Sequence, residues 1–179
     1  MQKIGIVVIK ICKRLWSILH CIIWKLLFGN AFHIGNMTFF YPNTHITVEC
    51  GGKLKIGKNC FFNHDCSVTC LNQITIGNDC IFGESVKIYD HNHQYVMNGE
   101  LFRKQEYKKG NVRIGNNCWI GSNTVILAGA TIGSNVVIAA GSIVMKSIPD
   151  NTVVIQKRES NFLTYDGNQD YDHLVNGAE

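Results

Sequence analysis

Val112 to Pro149, VRIGNNCWIGSNTVILAGATIGSNVVIAAGSIVMKSIP, returns a branched aliphatic residue at every sixth position: Ile114, Ile120, Ile126, Ile132, Ile138 and Val144. Four positions after each stands a small or medium residue, Cys118, Thr124, Ala130, Val136, Ser142 and Ile148, while Gly115, Gly121, Gly133 and Ala139 follow the aliphatic directly. A period of six is a multiple of the strand period of two and not of the helical 3.6. These aliphatics therefore share one face only in a chain that is extended and turning. One such turn cannot close a core, so stacked turns must share one. The stretch predicts a parallel β-helix.

Working outward, the same register runs through Ile34, Phe40 and Ile46. A slip at Gly51-Gly52 resets it to Ile56, Phe62, Val68 and Ile74, and a two-residue insertion shifts it again to Ile76, Phe82 and Ile88. The repeat then stops over residues 89–111, YDHNHQYVMNGELFRKQEYKKGN, before resuming at Val112. A loop of that length without aliphatic periodicity, inside a compact repeat, is usually functional or disordered. This one carries Asp90, His91 and His93 and is read as the active-site loop.

The 179 residues, 46% hydrophobic, suffice for one sizeable core. A net charge of +4 is too mild to argue for nucleic acid, and no basic-aromatic stacking pattern accompanies it. Two prolines against 17 glycines suit many short strands joined by tight corners. Of the eight cysteines, Cys60, Cys66, Cys80 and Cys118 stand four residues after Ile56, Phe62, Ile76 and Ile114, and Cys50 stands likewise to Ile46. All five are assigned to the small inward slot, where a free thiol packs as a small hydrophobe. No CxxC pair suggests zinc. Unpaired thiols imply a reducing compartment, hence the cytoplasm.

The first 30 residues differ in kind. At 100° per residue, Lys3, Lys10, Lys13, Arg14, Ser17, His20 and Lys25 share an arc of roughly 140°, and most of the rest is apolar. Gly29-Asn30 ends this basic amphipathic helix. Lys10, Lys13 and Arg14 break the apolar run well short of the roughly 20 residues of a membrane span, and no small-residue site marks a cleaved signal. Two readings stand side by side. Residues 4–28 lie in the headgroup region of an anionic membrane, anchored by Trp16 and Trp24, or the helix caps the open end of the coil or meets a neighbouring subunit.

Residues 31–155 resemble the left-handed β-helix of hexapeptide-repeat acyltransferases, within them the galactoside, maltose and polysaccharide O-acetyltransferases. In that family a loop reaching toward a neighbouring subunit holds the catalytic histidine in a TGHPxHH-like segment. Here Tyr89-Asp90 after Ser85-Val86-Lys87-Ile88 puts His91 at that place, although Asn92 stands where the segment has proline. Proton removal from a sugar hydroxyl needs such a base; His93 is the other candidate, and Asp90 or Glu84 would orient the ring. Gly57 to Asn63, GKNCFFN, is similar to the family's GxNFYAN, which implies that Asn63 contacts the acceptor hydroxyl. An Asn tolerating left-handed geometry at a coil corner is the alternative.

Cys118 to Ser122, CWIGS, resembles VWIGS, placing Trp119 beside the thioester and Ser122 on the cofactor. Ile138 to Ser142 followed by Met145-Lys146 is similar to IGAGS…TK, putting Ala140 and Lys146 at coenzyme A. The family's later G-x-P is missing, leaving Lys157 and Arg158 as substitutes at the nucleotide end. Residues 156–179 read as a tail.

The resemblance implies an acetyl-CoA-dependent O-acetyltransferase, without metal, acting as a homotrimer on a carbohydrate hydroxyl of a bacterial surface polysaccharide or its precursor. Catalysis would rest on His91, Asn63 and Trp119. N-acetylation of an amino sugar remains open, as does a β-helical scaffold without activity. A metal-dependent hydratase built on His64, His91 and His93 lacks the matching spacing.

Overall fold

The computed structural model describes residues 2–157, with side chains from residue 5 onward; Lys3's side chain, Arg158 and residues 159–179 lie outside the described residues. Helix α1 (Gln2–Phe28) passes through a 3-10 turn (Gly29–Ala31) into the first coil, β1 (Phe32–Ile34), β2 (Phe39–Phe40) and β3 (His45–Val48). The second coil is β4 (Lys53–Ile56), β5 (Phe61–Phe62) and β6 (Ser67–Cys70), and the third is β7 (Gln73–Ile76), β8 (Ile81–Phe82) and β9 (Lys87–Tyr89). A ribbon of β10 (His91–His93) and β11 (Tyr107–Lys109) then leaves the coil. The coil resumes as β12 (Val112–Ile114), β13 (Trp119–Ile120), β14 (Val125–Ile126), β15 (Thr131–Ile132), β16 (Val137–Ile138) and β17 (Ile143–Val144), and closes on β18 (Val153–Val154).

Every third strand pairs in parallel, which makes three faces: β1-β4-β7-β12-β15, β18-β16-β13-β8-β5-β2 and β17-β14-β9-β6-β3. The predicted parallel β-helix is thus what the chain forms. Its hexapeptide aliphatics point inward, and on the second face Phe40, Phe62, Phe82, Ile120 and Ile138 form one buried ladder. Phe40 stacks on Phe62 at 4.7 Å and Phe62 on Phe82 at 4.2 Å between ring centroids. Each such side chain contributes about 1.5–3 kcal/mol by burial.

The corner between the first and second faces explains the Gly-Asn signature of the repeats. Asn59, Asp79, Asn117, Asn135 and Asn151 all adopt left-handed φ between 53° and 60°, a region where Asn and Asp pay the least steric penalty. Their side chains also bond up the stack, Asn59 to Asp79 at 2.7 Å, Asn117 to Asn135 at 2.9 Å and Asn135 to Asn151 at 3.0 Å. A Cβ on Gly77 would lie 2.5 Å from the Gly115 carbonyl oxygen, so the coils stack too closely there for any side chain.

Cys60, Cys66, Cys80 and Cys118 are buried in the inward slot, joined by Cys70. Cys50 is not. It is exposed with φ 54°, because the slip at Gly51-Gly52 lengthens the first coil and pushes this corner outward. Phe32 pairs with Leu54, 22 residues on, whereas Arg113 pairs with Thr131, 18 on.

Helix α1 lies across the open first coil, and its orientation departs from the expectation that its basic arc meets headgroups. The polar arc faces the protein: Ser17 is buried and its Oγ accepts the Phe40 N–H at 2.8 Å. Trp24 is buried edge-on against Phe32 and Phe40, and so is not a lipid anchor. The terminal coil leaves backbone groups without a strand partner, which is why a polar residue is drawn to this side. The opposite side, Val8, Leu15, Ile18, Leu19, Ile22 and Leu26, stays exposed. Among the described residues no helix is long and apolar enough to cross a membrane.

Candidate active site

Residues 89–111 form a two-stranded antiparallel ribbon, not an irregular loop. His91 pairs with Lys109 and His93 with Tyr107, and the Gly110 N–H closes the base by donating to the Asp90 carbonyl at 2.7 Å. Buried Gln105 braces the outer part, its Oε1 accepting from the Val96 N–H at 2.9 Å and its Nε2 donating to the Val96 carbonyl at 2.8 Å.

At the root of the ribbon Asp90 is fully buried. Its Oδ1 accepts the Leu71 N–H and its Oδ2 the Asn72 N–H, both at 2.8 Å. The His91 Nδ1 stands 3.2 Å from the same Oδ1. A carboxylate only accepts, so in the neutral imidazole Nδ1 carries the proton and Nε2 keeps its lone pair. Among the described residues Nε2 has no hydrogen-bond partner. Glu84, the other sequence-stated orienter, is exposed on a different edge, where its N–H donates to Ser122 Oγ at 3.1 Å. Burial, with the Asp90 charge second, pushes the neighbouring Cys70 thiol up to about 12.

The imidazole borders a groove of about 410 Å³ shared by His93, Tyr95, Lys108, Lys109, Leu127 and Met145. His93 is exposed and lies 4.6 Å from the Tyr107 ring, without a carboxylate. Lys146 is exposed beside Met145 at this same edge, between the third and first faces.

The other expected residues lie along the next edge, between the second and third faces. Asn63, Gly83, Gly121 and Ala139 are stacked there by main-chain bonds: Asn63 N–H to the Phe82 carbonyl, Gly83 to Ile120, Gly121 to Ile138 and Ala139 to Val154. Ser122 and Ala140 sit at this corner, Gly141 N–H donating to the Ser122 carbonyl at 2.7 Å. Trp119 projects from the second face, 56% exposed. A shallow cleft of about 190 Å³ adjoins it, with Ile81 and Val137 above and below and Asp79, Asn117 and Asn135 of the corner with the first face along its side. Within one chain, therefore, His91 and Lys146 share one edge and Asn63, Ser122 and Ala140 share another, while Trp119 stands on the second face toward its corner with the first.

Asn63 is not among the left-handed residues; Asp65 takes that conformation at φ 62°. Its Oδ1 accepts the His64 N–H at 2.9 Å. Corner geometry thus gives no reason for an asparagine at 63. His64 accepts a hydrogen bond from Lys13 Nζ at 2.9 Å, on the edge away from His91 and His93. Among the described residues no group of three His, Cys, Asp or Glu is placed to hold a metal ion. The wheel of α1 gave no sign that Lys13 would reach this edge.

The family profile described as bacterial transferase hexapeptide (six repeats) matches residues 111–146. The galactoside O-acetyltransferase of Escherichia coli (strain K12) is 39% identical over 126 residues, 70% of this chain and 50% of that protein. The chain spans about half the length of this curated relative. The hexapeptide-repeat containing acetyltransferase VCA0836 of Vibrio cholerae superposes with a TM-score of 0.65 at 30% identity, over 76% of this chain and 74% of that one. The same Vibrio protein in complex with acetyl-coenzyme A superposes with a TM-score of 0.58 at 29% identity, over 68% and 64%. A maltose O-acetyltransferase from Clostridium difficile 630 gives a TM-score of 0.59 at 30% identity, over 84% of this chain and 88% of its own. With the repeat and its three-faced coil shared over 74% or more of both this chain and solved acetyltransferases, the chain belongs to the hexapeptide-repeat acetyltransferase family and has its left-handed β-helix.

Proposed function

We propose that this protein transfers an acetyl group from acetyl-CoA to a carbohydrate hydroxyl, with His91 as general base. The observation that carries the reading is the Asp90–His91 pair at 3.2 Å, which leaves Nε2 as an acceptor beside a groove. A neutral imidazole takes the hydroxyl proton as the oxygen attacks the thioester carbon; the C–S bond breaks and the proton passes to the departing thiolate. Asn63 fits an acceptor contact, since its Oδ1 holds the His64 N–H while its amide NH₂ makes no hydrogen bond among the described residues. Exposed Trp119 offers apolar cover for a pantetheine arm, and Ser122 and Ala140 leave room for it along their edge. Lys146 supplies a cation for the cofactor's phosphates.

The division of these groups between two edges supports a homotrimer whose sites are each lined by two subunits. The apolar strip Ile81, Trp119 and Val153 on the second face is exposed in the single chain and suits such a contact. All eight cysteines are free, which fits a cytoplasmic setting. The outer side of α1 adds peripheral attachment to an anionic membrane. No acidic residue precedes Glu49 in the sequence, whereas the exposed Lys10, Arg14 and Lys25 flank the apolar face. A second copy of so cationic a helix would repel it, and an anionic bilayer would attract it. A sugar precursor of surface polysaccharide, presented at that membrane, is the acceptor this arrangement suits.

The experiment is a carbohydrate panel incubated with acetyl-CoA, scoring released thiol and locating the new ester by mass. Thiol release dependent on a sugar, with an O-linked acetyl product, supports the reading; an amide product or no acceptor-dependent release contradicts it.

A further inference from the structure

Beneath α1, against the first two coils, lies a groove of about 440 Å³ that the acetyl-transfer chemistry leaves unused. Its floor is aromatic, Phe39, Tyr41 and Phe61, and its rim carries Lys10 and Arg14. The Arg14 guanidinium rests 4.8 Å above the Phe39 ring centroid, which aims the fork without neutralising it. Lys10 and Arg14 are both exposed, and neither has a carboxylate partner: the ion pair among the described residues is Asp90 with His91. Behind them Lys13 Nζ sits 4.2 Å from the Tyr41 ring centroid and donates to His64, the residue after Asn63. Phe61 lies two residues before Asn63 on the same chain. The groove therefore runs into the edge assigned above to the acceptor.

Unpaired cations over an aromatic floor suit a group that is anionic at one end and carries a flat or apolar body at the other. We propose that the groove beneath α1 binds the phosphate or diphosphate of the acceptor, so that the sugar is acetylated as a glycosyl phosphate ester. The substrate class rests on the placement of the acceptor at the Asn63 edge; the anion site itself does not. A nucleotide sugar and a lipid-linked sugar share this chemistry. The exposed apolar side of the same helix brings the lipid-linked form within reach.

The test is binding to the full chain, read by calorimetry first without and then with saturating coenzyme A. Inorganic diphosphate, uridine diphosphate and farnesyl diphosphate are the probes. Each is expected to bind saturably, and the double variant Lys10→Gln/Arg14→Gln is expected to weaken binding at least about tenfold, with its thermal midpoint unchanged. Charge removal at two exposed positions keeps the fold, and Lys10→Arg, which retains the charge, should retain binding. Tighter binding of farnesyl diphosphate than of uridine diphosphate assigns a lipid-linked acceptor, and the reverse assigns a nucleotide sugar. Binding that disappears when coenzyme A is added, that survives the double variant unchanged, or that is absent at millimolar probe overturns the proposal. Diphosphate binding in a protein with no acetyl-transfer activity would remove the catalytic reading and leave the anion site standing.

Discussion

His91 Nδ1 lies 3.2 Å from Asp90 Oδ1, and that carboxylate is fully buried with both oxygens already holding main-chain N–H groups of Leu71 and Asn72. One side chain thus fixes the root of the ribbon to the coil and the tautomer of the imidazole. Asp90→Asn offers one acceptor oxygen where three N–H groups converge, and turns an NH₂ toward a donor. Stability should fall by about 1–3 kcal/mol, the cost of leaving a buried donor unpaired. Turnover should fall with it, while coenzyme A affinity holds. Urea unfolding and steady-state kinetics on the same preparation separate the two effects; unchanged turnover would remove Asp90 from any positioning role.

Complementation tests the split site. His91→Ala and Ala140→Trp alter residues on different edges of one chain. If each site combines two subunits, mixing the two inactive variants under conditions that exchange subunits should restore partial activity. Sedimentation should show a trimer. A fully active monomer at low concentration would contradict the assembly.

The exposed face of α1 predicts a membrane contact sensitive to single charges. Leu15→Glu or Leu19→Glu on the outer side should abolish binding to vesicles of anionic phospholipid at low salt, with thermal stability retained, because neither residue packs on the coil. Ser17→Ala should leave vesicle binding intact and lower stability by about 1–3 kcal/mol through the unpaired Phe40 N–H. If the wild-type protein ignores such vesicles and Leu15→Glu instead dissociates the oligomer, the face is a subunit contact.

Three thiols, those of half-buried Cys21 and of buried Cys66 and Cys70, give the fold an alkaline limit. Burial pushes Cys21 and Cys66 up to about 11, and Cys70 to about 12 with the Asp90 charge adding to it. Raised folded values mean that these protons are kept in the native state after the unfolded chain has lost them. Stability from this source is complete below about pH 9 and declines as pH rises through 11 to 12. Urea midpoints measured between pH 8 and pH 11 should fall. Cys66→Ala and Cys70→Ala should each flatten that dependence by about one proton, whatever they cost in packing. A flat profile in the wild-type protein would refute the assignment.

The register of the coil was legible because a six-residue period has one structural solution, and each break in it, at Gly51-Gly52 and after Ile88, marks a real departure from the stack. His91 was legible for the same reason, as a histidine on the long interruption. Less was legible where a three-dimensional choice intervenes. The wheel of α1 separates a basic arc from an apolar one but carries nothing about which is turned inward; the Phe40 N–H taken up by Ser17 and the contact of Trp24 with Phe32 and Phe40 decide that. Cys50 has the spacing of its buried counterparts, yet the longer first coil carries it outward. Asp90 shows in the sequence as a neighbour of His91, whereas its bonds to Leu71 and Asn72 join residues 19 and 18 positions apart.

In the proposed reaction His91 removes the proton of the acceptor hydroxyl. The most direct measurement is kcat for acetyl transfer by His91→Ala, with the coenzyme A Kd determined by calorimetry on the same protein. The expected result is a fall in kcat of about 10² to 10⁴ with the Kd held within about twofold. A His91→Ala protein that turns over at the wild-type rate would contradict the claim, and loss of activity in His93→Ala instead would move the base to the second histidine of the ribbon.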